Sequence, residues 1–444
     1  MWRLIFPRTL YDDMQELLFS TAPEENGFFL MTNHYTARNG IVVVTVSKSV
    51  APDSTSWKVR GPDMLEPTTA FINKAAVEAD NVGAGVFFIH THPGETHPAG
   101  QSFIDARTDN LLFANLGEIL PNRPLGSLIL SRRGLTGVVF SEGRRHKIDE
   151  FRVVGAVISV PETRAPGRGT LEFDRQIRAI GQTRHEMLRR AKVCVVGVGG
   201  TGSAVAVQLA RMGVGKLVLI DPDKLDKSNL PRVYGATPRD IGKPKVAILK
   251  QHIESFSKTE IDAIESTVMA KNLLPILADC DFIFGCTDNL SSRATLNDVS
   301  IQYYIPLIDV GCRISLDKNG EPDQAIVKVQ VVTPESACLW CTGTLDANMI
   351  LQESFSAKEK KKLAAEGYYQ GTDRQPSVIS LTTLAASLGV SKLACLLGTF
   401  GPHYDTRTQI ELKDSFMVSD SPPIKGNCVC LKRRGLGDNR RILS

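Results

Sequence analysis

Three groups of residues combine type and spacing in ways that could do chemistry. The first lies within residues 192–245. A β-branched stretch, Lys192-Val-Cys-Val-Val196, leads straight into Gly197-Val-Gly199-Gly200-Thr-Gly202, and an apolar run follows to Met212. Glycines at such a point let the chain turn tightly out of a strand and approach phosphate oxygens, while the N–H groups opening the next helix face anionic charge. Asp221 ends the next apolar stretch about 20 residues on, with Asp223 close behind, where a carboxylate can accept from ribose hydroxyls. That much does not separate a dehydrogenase from other nucleotide enzymes. Asn229, Arg232 and Lys245 do: an amide and two cations so closely spaced exceed the needs of a nicotinamide pyrophosphate and suit ATP.

The second group is His90-Thr-His92-Pro93, directly after an apolar stretch. Histidines at i and i+2 on a strand point to one side, so both imidazoles can reach one metal. Downstream, Ser102-Phe-Ile-Asp105 opens a helix and can supply a carboxylate ligand and a hydroxyl; upstream, Glu24-Glu25-Asn-Gly27 precedes Phe28-Phe-Leu30. Three protein ligands and a water make an open zinc site, and a nearby glutamate can take the water's proton. An isolated His-x-His is more often structural, and the flanking residues shift that balance. The third group is Cys338-Leu-Trp-Cys341 with Cys428-Val-Cys430. Two close cysteine pairs read as a closed structural zinc site of four thiolates, with free thiols as the competing reading.

From about residue 173 to 430 the chain resembles the ThiF/MoeB/ubiquitin-activating-enzyme superfamily, whose members adenylate the C-terminal carboxylate of ubiquitin-like proteins. The resemblance implies a role for each matching position. Arg175 of Arg175-Gln176 matches an arginine finger to the phosphates, contributed in many members by the other subunit of a dimer. Asp221 matches the ribose-binding aspartate, Asn229 and Arg232 the Ser-Asn-Leu-x-Arg motif, and Lys245 the lysine of Gly-x-Pro-Lys. Asp288, in Phe284-Gly-Cys-Thr-Asp288-Asn289, matches the Mg²⁺-binding aspartate. Val233 departs from the glutamine found in many members.

The second group resembles the JAMM (JAB/MPN) metallopeptidase motif. By its spacing Glu24 is the general base rather than Glu25, His90, His92 and Asp105 are zinc ligands, and Ser102 steadies the tetrahedral oxyanion. The loop at residues 94–101, with an extra His97, is longer than that family's usual one. Thioester-forming relatives of the ThiF group place a cysteine between the zinc pair and the helix near Ser377, and residues 342–376 contain none. A thioester step is therefore not expected. Cys194 and Cys395 read as core residues, and Cys280, Cys286 and Cys312 lie in apolar segments beside the nucleotide motif.

The elements that must position these groups follow from periodicity. Residues 192–196 read as a buried parallel strand. In the first half, 28–31, 41–46, 86–90, 127–130 and 138–140 read as strands, and 67–80 and 102–119 as helices. Residues 161–170, rich in proline and glycine, read as a linker between a JAMM-like α/β domain at 1–160 and a Rossmann-like adenylation domain at 171–444. The lysine-rich run at 357–366 reads as a solvated helix, with a substrate cap as the rarer alternative.

A length of 444 residues suits two to three domains, and 42% hydrophobic residues is ordinary for globular cores. A net charge of +4 points to neither a nucleic-acid binder nor a membrane-surface protein. No apolar run is read as a membrane span, and the N-terminus does not read as a signal peptide. The expectation is a cytoplasmic, homodimeric, bifunctional enzyme using ATP, Mg²⁺ and two Zn²⁺, one catalytic and one structural. It would process or deconjugate a ubiquitin-like or sulfur-carrier protein and adenylate its C-terminus, in a conjugation pathway with a possible conjugating enzyme or in sulfur transfer. The rival reading is adenylation of a peptide or amino-acid carboxylate, with the JAMM-like part a non-catalytic docking module.

Overall fold

The computed structural model describes residues 1–62, 64–94, 103–132, 134–141, 143–155, 157–158, 171–356, 358–359, 376–401 and 404–439. The first half holds strands β1 (Trp2–Pro7), β2 (Gly27–Thr36), β3 (Val42–Val50), β4 (Trp57–Arg60), β5 (Leu65–Pro67), β6 (Gly85–Thr91), β7 (Leu125–Ser131), β8 (Gly134–Ser141), β9 (Arg144–Lys147) and β10 (Glu150–Val154). Its helices are α1 (Arg8–Phe19), α2 (Thr69–Val82) and α3 (Phe103–Ile119). Eight of these strands form one mixed sheet in the order β10-β1-β3-β2-β6-β7-β8-β9, and β4 pairs with β5 as a separate hairpin.

Strand β2 shows why this sheet is covered on both faces. Successive side chains alternate sides, so Phe28 and Leu30 meet Met14 and Leu18 of α1, whereas Phe29 and Met31 meet Phe71 and Ala75 of α2 and Leu116 of α3. Every residue from Phe28 to Met31 is buried. The sequence reading found the central strands and both later helices but left β1, α1 and the β4–β5 hairpin unassigned.

The second half holds α4 (Asp174–Ile180), α5 (Gln182–Arg190), β11 (Lys192–Val196), α6 (Gly200–Arg211), β12 (Lys216–Ile220), α7 (Lys245–Glu254), β13 (Glu260–Ile264), α8 (Leu274–Ala278), β14 (Phe282–Gly285), α9 (Leu290–Tyr303), β15 (Leu307–Leu316), β16 (Pro322–Val332), α10 (Ala347–Glu353), α11 (Ile379–Leu396), β17 (Arg407–Glu411) and β18 (Phe416–Asp420). The sheet order is β13-β12-β11-β14-β15-β16-β17-β18, parallel from β13 to β15 and antiparallel beyond. The chain reverses its direction of winding between β11 and β14. In open α/β sheets ligands bind at such a switch point, outside the carboxyl ends of the strands.

Helix α11 has 18 residues and a mean hydropathy of 1.5, so by length and composition it could cross a membrane, contrary to the sequence reading. Here Leu381, Ala385 and Leu393 join the core of the second sheet instead, and Gly389 lies against Val310 of β15.

The two sheets share a core: Ile5, Tyr35, Val43 and Val154 of the first belong to the hydrophobic cluster of the second. Tyr35 meets Tyr303 edge-on, with ring centroids 4.7 Å apart. Beside them lies a charged network. Arg152 donates to Asp281 (2.5 Å) and Glu150 (2.5 Å), Arg3 donates to Glu150 (2.8 Å), and the Lys192 N–H donates to Asp281 (2.8 Å). The segment read as a linker, 161–170, lies outside the described residues. The chain's last described residues return to the first sheet: the Gly435 carbonyl accepts from Asn33 Nδ2 (2.9 Å) and Thr45 Oγ1 (2.7 Å), while Gln302 and Tyr303 of α9 hold Gly437 O and Asp438.

Candidate functional sites

At the switch point the loop after β11 is shaped by two glycines. Gly197 has φ +83°, and a side chain there would meet the Cys286 carbonyl; a Cβ on Gly202 would lie 1.8 Å from the Gly197 oxygen. Only glycine fits either place. Asp221, just past β12, braces this loop: its carboxylate accepts from the N–H of Val198 (2.7 Å) and of Asp223 (2.8 Å). Burial pushes the Asp221 carboxyl up, opposed by Lys245 and those two N–H groups. A carboxylate oxygen has two lone pairs, so bracing leaves it able to accept from a sugar hydroxyl as well.

The cations converge on the same loop. Lys245 is buried and its Nζ lies 2.8 Å from Asp223 Oδ2. The stem of Arg232 would touch a Cβ on Gly200, and its Nη1 donates to Ser228 O (2.6 Å). Asn229 Oδ1 accepts from the Asp226 N–H (3.2 Å), closing a capping box that fixes this turn. Gly199 caps α6, whose first turn faces the same side. Val233 is buried against Leu225 and Ile248, so at this position the chain has exchanged a polar group for packing. Asp288 follows β14, is exposed, and makes no hydrogen bond or ion pair among the described residues. Arg175 is likewise exposed on α4, while its neighbour Gln176 is tied to Met212 O (2.8 Å).

The four cysteines meet as their spacing suggests. Cys338 Sγ lies 3.7 Å from Cys341 Sγ and 3.6 Å from Cys428 Sγ, and Cys341 Sγ lies 3.8 Å from Cys430 Sγ. Zinc–sulfur bonds of 2.3 Å in a tetrahedron require an S···S edge of about 3.8 Å. The set fits a closed zinc site, and Arg434 donates to Cys430 from outside it. Burial holds the Cys286 thiol far above its usual range and raises that of Cys312, so neither beside the nucleotide loop is a ready nucleophile.

In the first half His90 and His92 end β6 with their Nε2 atoms 3.3 Å apart. Zinc–nitrogen bonds of 2.0–2.1 Å in a tetrahedron imply an edge of about 3.3–3.4 Å. The glutamate beside them is Glu25 and not Glu24, the residue that the motif spacing favours. Strand pairing is the physical reason. Gly27 opens β2 opposite His90 of β6, and the Asn26 carbonyl just before it accepts from the Thr91 N–H, which brings the segment holding Glu25 alongside the histidines. Glu25 is buried with Oε1 3.7 Å from His92 Nε2, and Glu25, His90 and His92 have ligand atoms within 4.8 Å of one another. Glu24 points outward, 3.5 Å from Arg60.

The β4–β5 hairpin, which the sequence did not reveal, fixes Glu25: Gly61 O accepts its N–H (2.9 Å) and Arg60 Nε donates to its carbonyl (3.1 Å). Ser102 and most of the loop at 94–101 lie outside the described residues. Asp105 falls in the first turns of α3, but its side chain lies outside them as well.

Comparison with known proteins bears on the second half. The chain is 31% identical over 130 residues to a sulfur carrier protein adenylyltransferase of Thermus thermophilus, covering 29% of this chain and 48% of that protein. To the sulfur carrier protein ThiS adenylyltransferase of Escherichia coli it is 31% identical over 144 residues, 32% of this chain and 57% of the relative. It thus spans about half the length of these curated relatives. Among solved structures, Escherichia coli MccB with MccA-N7isoASN overlays with a TM-score of 0.48 at 17% identity, covering 59% of this chain and 75% of that one, a likeness too slight to carry weight. A family model described as "ThiF family" matches residues 173–428, more than half of the chain, and with the glycine loop, Asp221, Arg232 and Lys245 assembled at its switch point the chain belongs to the ThiF family.

Proposed function

We propose that this protein is an ATP-dependent adenylyltransferase acting on the C-terminal carboxylate of a ubiquitin-like or sulfur-carrier protein. Its first 160 residues would be a JAMM-like zinc peptidase working on the same partner, joined by residues 161–170 to the adenylation domain at 171–444. The observation that carries the first part is the convergence of the Gly197–Gly202 loop, Asp221, Arg232, Lys245 and an unpartnered Asp288 at the switch point of a ThiF-family chain. The names of the relatives in Thermus and Escherichia coli support the substrate class.

Each residue's work follows from its place. Gly197, Gly199, Gly200 and Gly202 let the backbone come close to the phosphates, and the first turn of α6 offers N–H groups to them. Asp221 accepts from the ribose while holding the loop, with Asp223 and Asn229 bordering the phosphates. Lys245 would leave Asp223 for the nucleotide, and Arg232 and an Arg175 from the partner of a homodimer would face charge growing on the α-phosphorus. Mg²⁺ shared between Asp288 and the phosphates would offset that charge further. The substrate carboxylate attacks the α-phosphorus, the bond to the β-phosphoryl oxygen breaks, and pyrophosphate leaves. No general base is needed, because the nucleophile is already ionised. No thioester is proposed.

In the peptidase part, His90, His92 and Asp105 would hold zinc, with Ser102 near the oxyanion. A zinc held there would lower the pKa of a water so that a hydroxide nucleophile is available near neutral pH. Glu25, buried beside the histidines, would take that water's proton and pass it to the leaving amine. The four cysteines would hold a second, structural zinc. A cytoplasmic setting agrees with so many unpaired thiols.

The test uses intact-mass spectrometry on a candidate ubiquitin-like protein with a short C-terminal extension, incubated with the enzyme, zinc, ATP and Mg²⁺. Loss of the extension followed by gain of one adenylyl group is expected. His92→Ala should leave the extension in place yet still adenylate a tail-free partner, and Asp288→Ala should remove the extension without adenylation. An intact tail alongside adenylation of a tail-free partner would make the first half a docking module. Activation of short peptides alone would overturn the substrate class.

A further inference from the structure

A carboxylate can hold a cation well only if its own backbone is held, and the Asp288 loop is held from two sides. On one side Arg293 of α9 donates to Thr287 O from Nε (3.1 Å) and Nη2 (3.0 Å), while its Nη1 is anchored on Asp309 (2.8 Å). On the other side the loop runs into the N-terminus of α9, where Asn289 caps the Ser292 N–H (2.8 Å). Two first-turn N–H groups remain for an outside partner, and one residue takes both. Glu353, the last residue of α10, accepts from Leu290 N (2.7 Å), from Ser291 N (2.9 Å) and from Ser291 Oγ (2.6 Å).

Glu353 makes this clamp from outside α9. It comes from 63 residues along the chain and sets its charge at the foot of the loop that carries a second, solvent-facing carboxylate. Favourable N–H dipoles at a helix N-terminus offset the repulsion between the two. An ordinary helix cap would need only a serine or an asparagine.

We propose that Glu353 is a positioning residue for the cation that Asp288 binds: by clamping the first turn of α9 it fixes the Asp288 carboxylate, and it ties that carboxylate to the chain leaving α10. The inference rests on Asp288 being a Mg²⁺ ligand. Supporting residues of this kind typically change metal affinity by about 10–100-fold when removed.

The experiment measures Mn²⁺ binding to the full chain by electron paramagnetic resonance, with and without the α,β-methylene analogue of ATP, alongside thermal unfolding. The quantity read is the Mn²⁺ site that depends on the analogue. Glu353→Ala should weaken that site about tenfold or more while leaving metal-free binding of the analogue unchanged. Glu353→Gln keeps one acceptor oxygen and should fall between the wild type and the alanine variant. If either variant lowers the melting temperature yet leaves the Mn²⁺ affinity within twofold, Glu353 is only a structural cap and the inference is wrong. If Asp288→Ala itself leaves the Mn²⁺ site intact, the cation reading fails, and this inference with it.

Discussion

Glu24 and Glu25 are adjacent and chemically identical, yet one is an exposed charge near Arg60 and the other is buried beside two histidines. The sequence contains both and a motif spacing that favours the first. What the spacing cannot show is that Gly27 pairs with His90 and that Glu25, just ahead of it, lies beside the histidines. If the proposed peptidase reading holds, Glu25→Gln should reduce zinc-dependent hydrolysis of a partner's C-terminal extension by about 10²–10⁴-fold, the usual worth of general base catalysis. Glu24→Gln should stay within about threefold, since it removes only an exposed charge near Arg60. Rates for the two purified variants decide it, and a larger loss in Glu24→Gln would return the role to Glu24. The nucleotide residues were more legible, because Asp221, Asn229, Arg232 and Lys245 sit in one continuous stretch whose local turns bring them together. Arg293 and Glu353 were not, for their roles arise only when α9 and α10 pack.

Among the elements, β11 with its loop and α6 was the easiest to read. An unbroken β-branched run, a glycine cluster and an apolar helical run are local signals that need no partner. The same locality makes the unit brittle. Gly202→Ala would drive a methyl group into the Gly197 carbonyl, and relief requires the phosphate loop itself to move. A loss of about 3 kcal/mol in unfolding stability is expected, together with loss of nucleotide binding. Chemical denaturation and binding of a fluorescent ATP analogue would check the pair, and an unaltered affinity would show that the loop tolerates what the geometry forbids. Elements whose sense depends on distant partners were harder. Strand β1 is short and lies next to β10 and β3, and the β4–β5 hairpin shows its purpose only where it touches Glu25. Helix α11 carries the composition of a helix meant for lipid, yet no run was read as a membrane span, and the structure packs it against α6 and the second sheet.

For the whole molecule, the meeting of the two sheets is the feature that no stretch of sequence announced. Arg152 sits between Glu150 and Asp281, which come from different halves of the chain. Burial alone would push both carboxyls up, but the arginines outweigh it and hold them below their usual values. A carboxyl lowered in the folded state contributes stability above its unfolded pKa and loses it as pH falls through the folded one. The contact should thus be at full strength above about pH 4.5 and weaken in stronger acid. Arg152→Met leaves Asp281 buried with less compensation and should cost about 3 kcal/mol. Thermal unfolding of that variant at pH 7 and pH 4 provides the check: the difference from wild type should shrink at the lower pH, and a constant difference would mean that lost packing accounts for the whole effect.

The return of residues 433–439 to the first sheet carries one further consequence. Arg433 pairs with Asp298 of α9, Gly435 is gripped by Asn33 and Thr45 of the opposite sheet, and Gly437 lies so close to the His34 carbonyl that no side chain would fit. Just upstream, Cys428 and Cys430 lie beside Cys338 and Cys341. The peptide connection between the halves is therefore redundant once the protein has folded. A protein severed by a protease within residues 159–170 should still travel as one particle on gel filtration, and removing the last dozen residues should make the two pieces easier to part.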